Sequence, residues 1–179
     1  MNKENKNGSP DDQLHLLEVV DDNNRPIAAL PAEITHRQLL KHRSVQVMIF
    51  NSDRKIYLQK RHKQKSIFPG RWDISARTHP HVNESTEDAA IRVLHEKLDM
   101  EVESLQFVRT LPACPETAFE NMTIYALTKN TQPIKPNSKE VEEGYYFSNE
   151  ELTCLVKEFR ELLTPNIVTL WEAGLLVAP

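Results

Sequence analysis

The sequence predicts one α/β domain in which a mixed β-sheet lies between layers of helices. Segments typical of β-strands alternate with segments of helical periodicity, an order that favours a layered α/β fold. The clearest helix is marked by Ala90, Leu94 and Leu98, whose four-residue spacing gives one apolar stripe. A chain of 179 residues, 39% of them hydrophobic, is long enough to bury a core without disulfides or structural metal.

The first half of the chain contains turn residues between short β-like runs. Its predicted elements are a disordered tail at 1–13, strands at 14–21 and 27–30, a helix at 31–42, and strands at 44–51 and 55–61. The tail is rich in Asn, Lys and Asp, which cannot bury a core. Pro31 suits the first position of a helix, and "SDR" between the last two strands indicates a hairpin.

The second half continues the alternation, so that residues 14–179 are predicted to form a single domain. Its predicted elements are a turn at 67–72, a strand at 73–76, a helix after Ser85, strands at 102–111, 121–128 and 143–148, and helices at 149–159 and 165–176. Ser85 is a suitable N-cap, because Asp88 follows it at the three-residue spacing of a capping box.

Composition limits the partners and the compartment. The net charge of −4 gives no nucleic-acid signature, so phosphate binding has to be local. Cys114 and Cys154 are interpreted as free thiols, although the sequence alone leaves one disulfide open. The polar start lacks a secretory signal, and no apolar run approaches the roughly 20 residues of a membrane span. We therefore expect a soluble cytoplasmic protein without membrane contact.

Several motifs occur in one order along the chain: "HRSVQVMIFN", "LQKR", "FPGRWDIS", "HP", "NESTEDAAIR" and "LTPNIVTLW". In order and spacing they resemble the Nudix superfamily, specifically its isopentenyl-diphosphate isomerase-like branch. The resemblance covers most of the chain from about residue 14. It implies a Nudix-type α/β/α sandwich and a small ligand that carries a diphosphate.

The Nudix motif itself is incomplete in this chain. Its matching positions are Glu84, Arg92, Leu94 and Glu96, and its departures are Thr78, Val93, Lys97 and Asp99. The resemblance implies catalytic roles for Glu84, Arg92 and Glu96. Positions 93, 96 and 97 share one helical face, where several carboxylates would bind Mg²⁺. With Val93 and Lys97 that face offers one carboxylate and one ammonium, so we expect the Mg²⁺ site to be impaired, with Lys97 pairing with Glu96 or with a phosphate.

The resemblance to the isomerases implies a second metal site. Its residues are His36, His42, His79 and Glu120, and the Nudix motif implies Glu96 of the helix as a further metal ligand. Three imidazoles and carboxylates suit Mn²⁺ or Zn²⁺. The isomerases' cysteine, second site glutamate and helix glutamate are here Arg77, Met122 and Lys97. Because isomerisation needs a proton donor and acceptor on opposite faces, we do not expect that activity.

A basic segment is expected to hold the diphosphate. Arg61 and Lys65 lie in "QKRHKQK", where the isomerase-like proteins bind their diphosphate, and Arg77 adds a third cation if it points inward. Arg offers a rigid fork of donors and Lys a point charge. The alternative interpretation is an ordinary solvated loop. The segment 139–147 is acidic, and the sequence leaves open which of its glutamates, if any, binds metal.

Three functions remain open from the sequence. The first is a Nudix hydrolase with a reduced Mg²⁺ or Mn²⁺ set around Glu96, which Glu120 and His79 complement. The second is an isomerase-type enzyme with altered chemistry. The third is a diphosphate-binding protein without turnover. The sequence determines neither the rest of the ligand nor the oligomeric state.

Overall fold

The computed structural model describes residues 15–179, so the tail predicted at 1–13 lies outside the described residues. The strands of these residues are β1 (Leu16–Val20), β2 (Pro26–Pro31), β3 (His42–Asn51), β4 (Ile56–Arg61), β5 (Trp72–Asp73), β6 (Ala76–Thr78), β7 (Gln106–Leu111), β8 (Glu120–Asn130) and β9 (Val141–Phe147). The α-helices are α1 (Ala32–Arg37), α2 (Thr86–Leu98), α3 (Asn149–Glu158) and α4 (Pro165–Glu172).

Strand β3 is the centre of a mixed sheet. It pairs in parallel with β8 and antiparallel with β6, and its two ends pair with β1 and β4. Strand β4 continues the sheet by pairing with β5 and β9. A central strand covered on both faces needs apolar side chains at consecutive positions, and β3 meets this requirement at 47–50, within a buried stretch that covers 44–50.

Helices cover both faces of this sheet. On one face, Val45 and Val47 of β3 belong to a core cluster with Ala90, Leu94 and other side chains of α2. On the opposite face, Met48 and its neighbours pack with residues of α3 and α4. The α/β/α sandwich predicted from the sequence is therefore confirmed, including the buried stripe of α2.

Several predicted elements differ in extent from the observed ones, and helix α4, for example, ends at Glu172 rather than 176. Helix α1 ends at Arg37 rather than 42, because Leu39 adopts a left-handed backbone with φ 53° and His42 already belongs to β3. The strand predicted at 73–76 is two strands, since β5 pairs with β4 whereas β6 pairs with β3. The strand predicted from 102 begins only at Gln106.

Glycine is required at one position of the sheet. In β9, Gly144 lies under the ring of Tyr57 from β4, and a Cβ at residue 144 would overlap the Tyr57 hydroxyl and ring carbons. Tyr57 is buried and also contacts Tyr146 edge to face. The small residue thus allows an aromatic side chain to cover the β4–β9 pair. Within residues 15–179, none of the helices has the length and apolar character needed to cross a bilayer.

Candidate metal and diphosphate site

Three imidazole side chains meet at one end of strand β3. His42 is the first residue of β3, His79 directly follows β6, and His36 lies in α1. The antiparallel register of β3 and β6 pairs Val45 with Thr78, which brings His79 beside the start of β3. The ring centroids of His36 and His42 are 4.9 Å apart, and the other two pairs are each 5.1 Å apart. The structure thus brings together the three histidines that the resemblance implied.

A buried carboxylate completes this cluster. The parallel register of β3 and β8 sets Glu120 opposite His42, and Glu120 Oε1 lies 4.0 Å from His42 Nε2. One ligand atom from each of the three histidines and from Glu120 lies within 4.8 Å of the others. This separation is close to the ~4 Å between opposite ligands that metal–ligand bonds of about 2.1 Å would give.

The hydrogen bonds of the imidazoles fit metal binding. His42 Nδ1 donates to the Leu40 carbonyl at 2.7 Å, and His79 Nδ1 donates to the Arg43 carbonyl at 3.0 Å. Donation from Nδ1 fixes the tautomer and leaves Nε2 as a lone-pair ligand. His42 Nε2 is buried without a hydrogen-bond partner among the described residues, so a divalent ion would satisfy an otherwise orphaned atom.

The electrostatics of the cluster keep its ligands in the forms that bind metal. Burial lowers the pKa of both His79 and His36, which favours neutral imidazoles. Burial by itself would raise the pKa of Glu120, but the guanidinium of Arg77, the neighbouring histidines and a hydrogen bond with Ser44 together outweigh this effect, and the pKa is lowered. The site therefore offers neutral nitrogens and an ionised carboxylate.

The cluster borders a cavity of about 410 Å³. Its lining residues are His15, His36, Leu39, Arg61, Lys65, Ile67, Phe68, Arg77, Thr78, His79, Lys97, Ala118, Glu120 and Glu140. All three cations expected to grip the ligand, Arg61, Lys65 and Arg77, are among them. Arg61 and Lys65 therefore line a cavity, and their contact with a ligand stays a prediction.

Arg61 is held in place by a buried carboxylate. Its Nη1 donates to Asp73 Oδ2 at 3.2 Å, and its Nε donates to the Ile67 carbonyl at 3.0 Å. Asp73 is completely buried and accepts a second hydrogen bond, of 2.9 Å, from Thr164 Oγ1. A guanidinium fixed in this way presents its remaining donors in a defined direction. The sequence did not indicate the role of Asp73.

The other two expected cations also have carboxylate partners. Arg77 Nη2 donates to Glu120 Oε1 at 3.0 Å, and Lys65 forms an ion pair with Glu140. Burial opposes the charge of Arg77, but Glu120 and other carboxylate charge outweigh it, and the pKa of Arg77 is raised. Arg77 is thus a permanent cation that connects the cavity to the metal-ligand cluster.

The motif positions of α2 lie in three different environments. Val93 is fully buried in the core cluster between α2 and the sheet. Glu96 points away from the cavity and pairs with Arg92, with Nη1 to Oε2 at 3.2 Å. Lys97 enters the cavity, where its Nζ donates to the Arg77 carbonyl at 2.8 Å. Of the three positions 93, 96 and 97 that were expected to share a face, only Lys97 therefore borders the cavity, and Glu96 lies outside the cluster of metal ligands.

Glu84 and Arg92 also lie outside the cavity, where they pair with each other. Arg92 donates from Nε and Nη2 to the two oxygens of Glu84, at 2.7 and 2.8 Å. Arg92 Nη2 also reaches the His79 carbonyl at 3.2 Å, and Glu84 accepts from the backbone of His81 at 2.7 Å. In place of the expected catalytic contact, this pair fastens the loop that carries His79 to helix α2.

The cavity has an apolar rim that sequence reasoning missed. Leu39, Phe68 and Ala118 line it, and each has a left-handed backbone, with φ of 53°, 49° and 54°. Such conformations in residues other than glycine cost about 1 kcal/mol or more and cluster at functional sites. No sequence signal marks them, because none is a glycine or an asparagine.

The acidic segment near β9 contributes one residue to the cavity. Glu140 lines it, whereas Glu142 and Glu143 pair with Lys63 and Lys60 at 2.9 and 2.7 Å. None of these glutamates belongs to the cluster of metal ligands found among the described residues. Each of these glutamates pairs with a lysine, and only the partner of Glu140, Lys65, lines the cavity.

Comparison with known proteins agrees with this architecture. A family model described as "NUDIX domain" matches residues 40–166, which include β3, α2, β8 and most of the cavity. The chain belongs to the Nudix family. Within this Nudix chain the matched span contains His42, His79 and Glu120, whereas His36 precedes it.

Individual relatives place the chain near the isomerase-like branch of the Nudix family. It is 28% identical to an isopentenyl-diphosphate Delta-isomerase of Pectobacterium atrosepticum over 88% of each protein. It is 36% identical to an uncharacterized Nudix hydrolase of Pseudomonas aeruginosa, over 46% of this chain and 49% of the relative, so it spans about half of that protein. The crystal structure of DR0079 from Deinococcus radiodurans matches the fold with a TM-score of 0.77 and 20% identity, covering 88% of this chain and 98% of that one.

Proposed function

We propose that this Nudix protein binds a small metabolite carrying a diphosphate in the cavity, and that diphosphate hydrolysis with a single divalent metal is its reaction. One observation carries the proposal: the cluster of His36, His42, His79 and Glu120 opens into a cavity lined by cations. Imidazoles and one carboxylate suit Mn²⁺ or Zn²⁺ better than Mg²⁺. A metal held there would polarise a phosphate oxygen and lower the pKa of a bound water.

The chain's own residues supply the remaining functions of such a site. Arg61, fixed by Asp73, presents donors to phosphate oxygens, and Lys65, which pairs with Glu140, adds a second positive charge at the cavity. Arg77 neutralises negative charge between the phosphates and the metal ligands. The apolar rim at Leu39 and Phe68 favours a ligand whose other end is at least partly apolar. The free thiols of Cys114 and Cys154 suit the reducing cytoplasm.

Isomerisation is not supported by the same geometry. Arg77 stands where the isomerases have their cysteine, and it donates to Glu120 rather than offering an acidic proton. Met122 stands where they have a second glutamate, and its side chain is buried in the core. Neither Arg77 nor Met122 can therefore act as the general acid or base that isomerisation requires.

The second candidate function is diphosphate binding without turnover. The observation in its favour is that α2 presents no carboxylate to the cavity, since Val93 is in the core and Glu96 pairs with Arg92. A protein of this kind would bind the diphosphate as tightly as the hydrolase does but would release no phosphate.

One set of measurements separates these possibilities. Purified protein is loaded with Mn²⁺ or Zn²⁺, its metal content is measured, and phosphate release is followed with nucleotide-sugar, dinucleotide and prenyl diphosphates. We expect one metal per chain, lost in His79→Asn but kept in the control His81→Asn, since His81 lies outside the cluster. Binding without phosphate release would favour the second candidate. No binding of any diphosphate, with or without metal, would refute the proposal.

A further inference from the structure

Lys97 has unused hydrogen-bond donors at the cavity. Its ammonium carries three N–H bonds, and one of them is donated to the Arg77 carbonyl at 2.8 Å. Within residues 15–179, the structure gives Nζ no second acceptor and no carboxylate within 4.0 Å. The Lys97 side chain is half-buried in the cavity wall, where a charge-assisted hydrogen bond to an anionic acceptor would be stronger than one to a neutral acceptor.

The other cations of the cavity differ from Lys97 in this respect. Arg61, Lys65 and Arg77 each form an ion pair with a carboxylate. A phosphate that approaches one of them has to compete with the carboxylate already in place. Among the cavity cations that the structure describes, Lys97 alone has no carboxylate within 4.0 Å, since Glu140 and Asp73 act on it from farther away. An incoming anion therefore meets the least direct competition at Lys97.

A positive charge at this position also disfavours a second metal ion. A dication near Lys97 would be repelled, and the two other motif positions of α2 offer no ligand because Val93 is in the core and Glu96 pairs with Arg92. We propose that the Lys97 ammonium binds a phosphate oxygen of the ligand directly, in place of a metal ion held by α2. This inference rests on the proposed function for the class of ligand.

Direct binding of a phosphate oxygen by Lys97 has two consequences. The diphosphate should bind without any metal, because Lys97, Arg61 and Lys65 are present in the metal-free protein. In addition, the saturated protein should hold one protein-bound metal, at the histidine cluster. A purely structural role, in which Lys97 only ties α2 to the Arg77 carbonyl, requires a single donor and would be preserved by glutamine.

The test uses the full chain and inorganic diphosphate as the probe, with binding measured by calorimetry in EDTA. We expect wild-type protein to bind and Lys97→Gln to bind at least ten-fold more weakly, as for loss of a charge-assisted hydrogen bond. Lys63→Gln is the matched control, since Lys63 is exposed, pairs with Glu142 and does not line the cavity. Its affinity should stay within two-fold of wild type.

A second variant reverses the charge. Lys97→Glu should bind diphosphate poorly in EDTA and recover binding when Mg²⁺ is added, while thermal melts of each variant verify folding. If Lys97→Gln bound diphosphate as tightly as wild type, the role of Lys97 would be overturned and the proposed function would stand. The same conclusion would follow if the wild-type protein bound diphosphate only in the presence of a metal. If wild-type protein binds no diphosphate under either condition, the proposed function fails and this inference fails with it.

Discussion

The buried position of Val93 predicts that restoring the motif's glutamate there does not restore a metal site. Restoring the motif's carboxylate by Val93→Glu would be expected to rebuild an Mg²⁺ site if residue 93 faced the cavity. In the structure its side chain is completely buried in the cluster between α2 and the sheet. We therefore expect Val93→Glu to destabilise the fold strongly without creating a metal site.

The size of this effect follows from two contributions. Losing the buried valine costs roughly 1.5–3 kcal/mol. A buried carboxyl has its pKa raised by about 3–5 units from an ordinary value of about 4.3, and at 1.36 kcal/mol per unit the linked cost at pH 8 is roughly 4–5 kcal/mol. The sum approaches the ~5–15 kcal/mol stability of an ordinary domain. Most Val93→Glu protein should therefore be unfolded at pH 8.

Urea unfolding at pH 5 and pH 8, followed by tryptophan fluorescence, measures this cost. The folded pKa of the new carboxyl is raised above its unfolded value, so stability is retained at low pH and falls as pH rises toward the folded pKa. Val93→Gln is the uncharged control and should lack this dependence, while Val93→Ala should cost only about 2 kcal/mol. If Val93→Glu proved as stable as Val93→Gln at pH 8 and bound Mg²⁺, residue 93 would face the cavity and our assignment of the core would be wrong.

Three further predictions concern Lys97, Glu84 and Gly144. Burial lowers the pKa of Lys97 to about 8, so Lys97→Met should raise the free energy of unfolding, measured in urea at pH 7, by roughly 1–3 kcal/mol. The difference between variant and wild type should shrink between pH 8 and about 10.5, because Lys97 loses its proton in the folded chain before it does so in the unfolded chain. The Arg92 hydrogen bonds lower the pKa of Glu84, so Glu84→Gln should lower the free energy of unfolding by about 1.5–3 kcal/mol at pH 7. This cost should disappear as the pH falls below the carboxyl's ordinary pKa and through its lowered folded pKa. If Glu84→Gln were as stable as wild type at pH 7, the ion pair would be contradicted. Gly144→Ala should cost about 1–3 kcal/mol because the new methyl overlaps Tyr57, and an unchanged melting temperature would show that the ring moves aside freely.

The histidine cluster illustrates what a sequence can provide when motifs occur in a fixed order. His42, His79 and Glu120 are far apart along the chain, and only the registers of β3 with β6 and β8 bring them together. Hydrophobic patterns identified β3 and β8, but they did not separate β6 from β5 and did not reveal which strands are neighbours in the sheet. The proximity of the three residues was therefore expected from the resemblance rather than from the patterns alone.

Helix α2 shows where the motif comparison was misleading. By analogy with the motif, residue 93 was assigned to the metal-binding face. Yet Ala89, Ala90, Val93 and Leu94 form the pattern of a buried helical stripe, which the sequence already contained. The apolar side chain of Val93 follows this local pattern and is buried in the core.

The carboxylate partners of the cavity cations could not be predicted from the sequence, for a different reason. Arg77 pairs with Glu120 across 43 positions of sequence, and Lys65 pairs with Glu140 across the ends of β4 and β9. Each pair depends on where separate strands end in the folded sheet. Basic residues in a loop identify a potential anion site, but they do not reveal which charges are already neutralised.

The changes on α2 are best understood through the charge of the cavity as a whole. Four cations and two carboxylates line it, so its wall carries net positive charge even with the histidines neutral. Such a wall attracts a diphosphate directly. A glutamate at position 97 would leave equal numbers of cations and carboxylates, and a metal ion would then be needed to attract the same ligand. The loss of the motif's metal-binding face and the arrival of Lys97 in the cavity are thus consistent with each other, because a cavity with its own positive charge does not require a dication on α2.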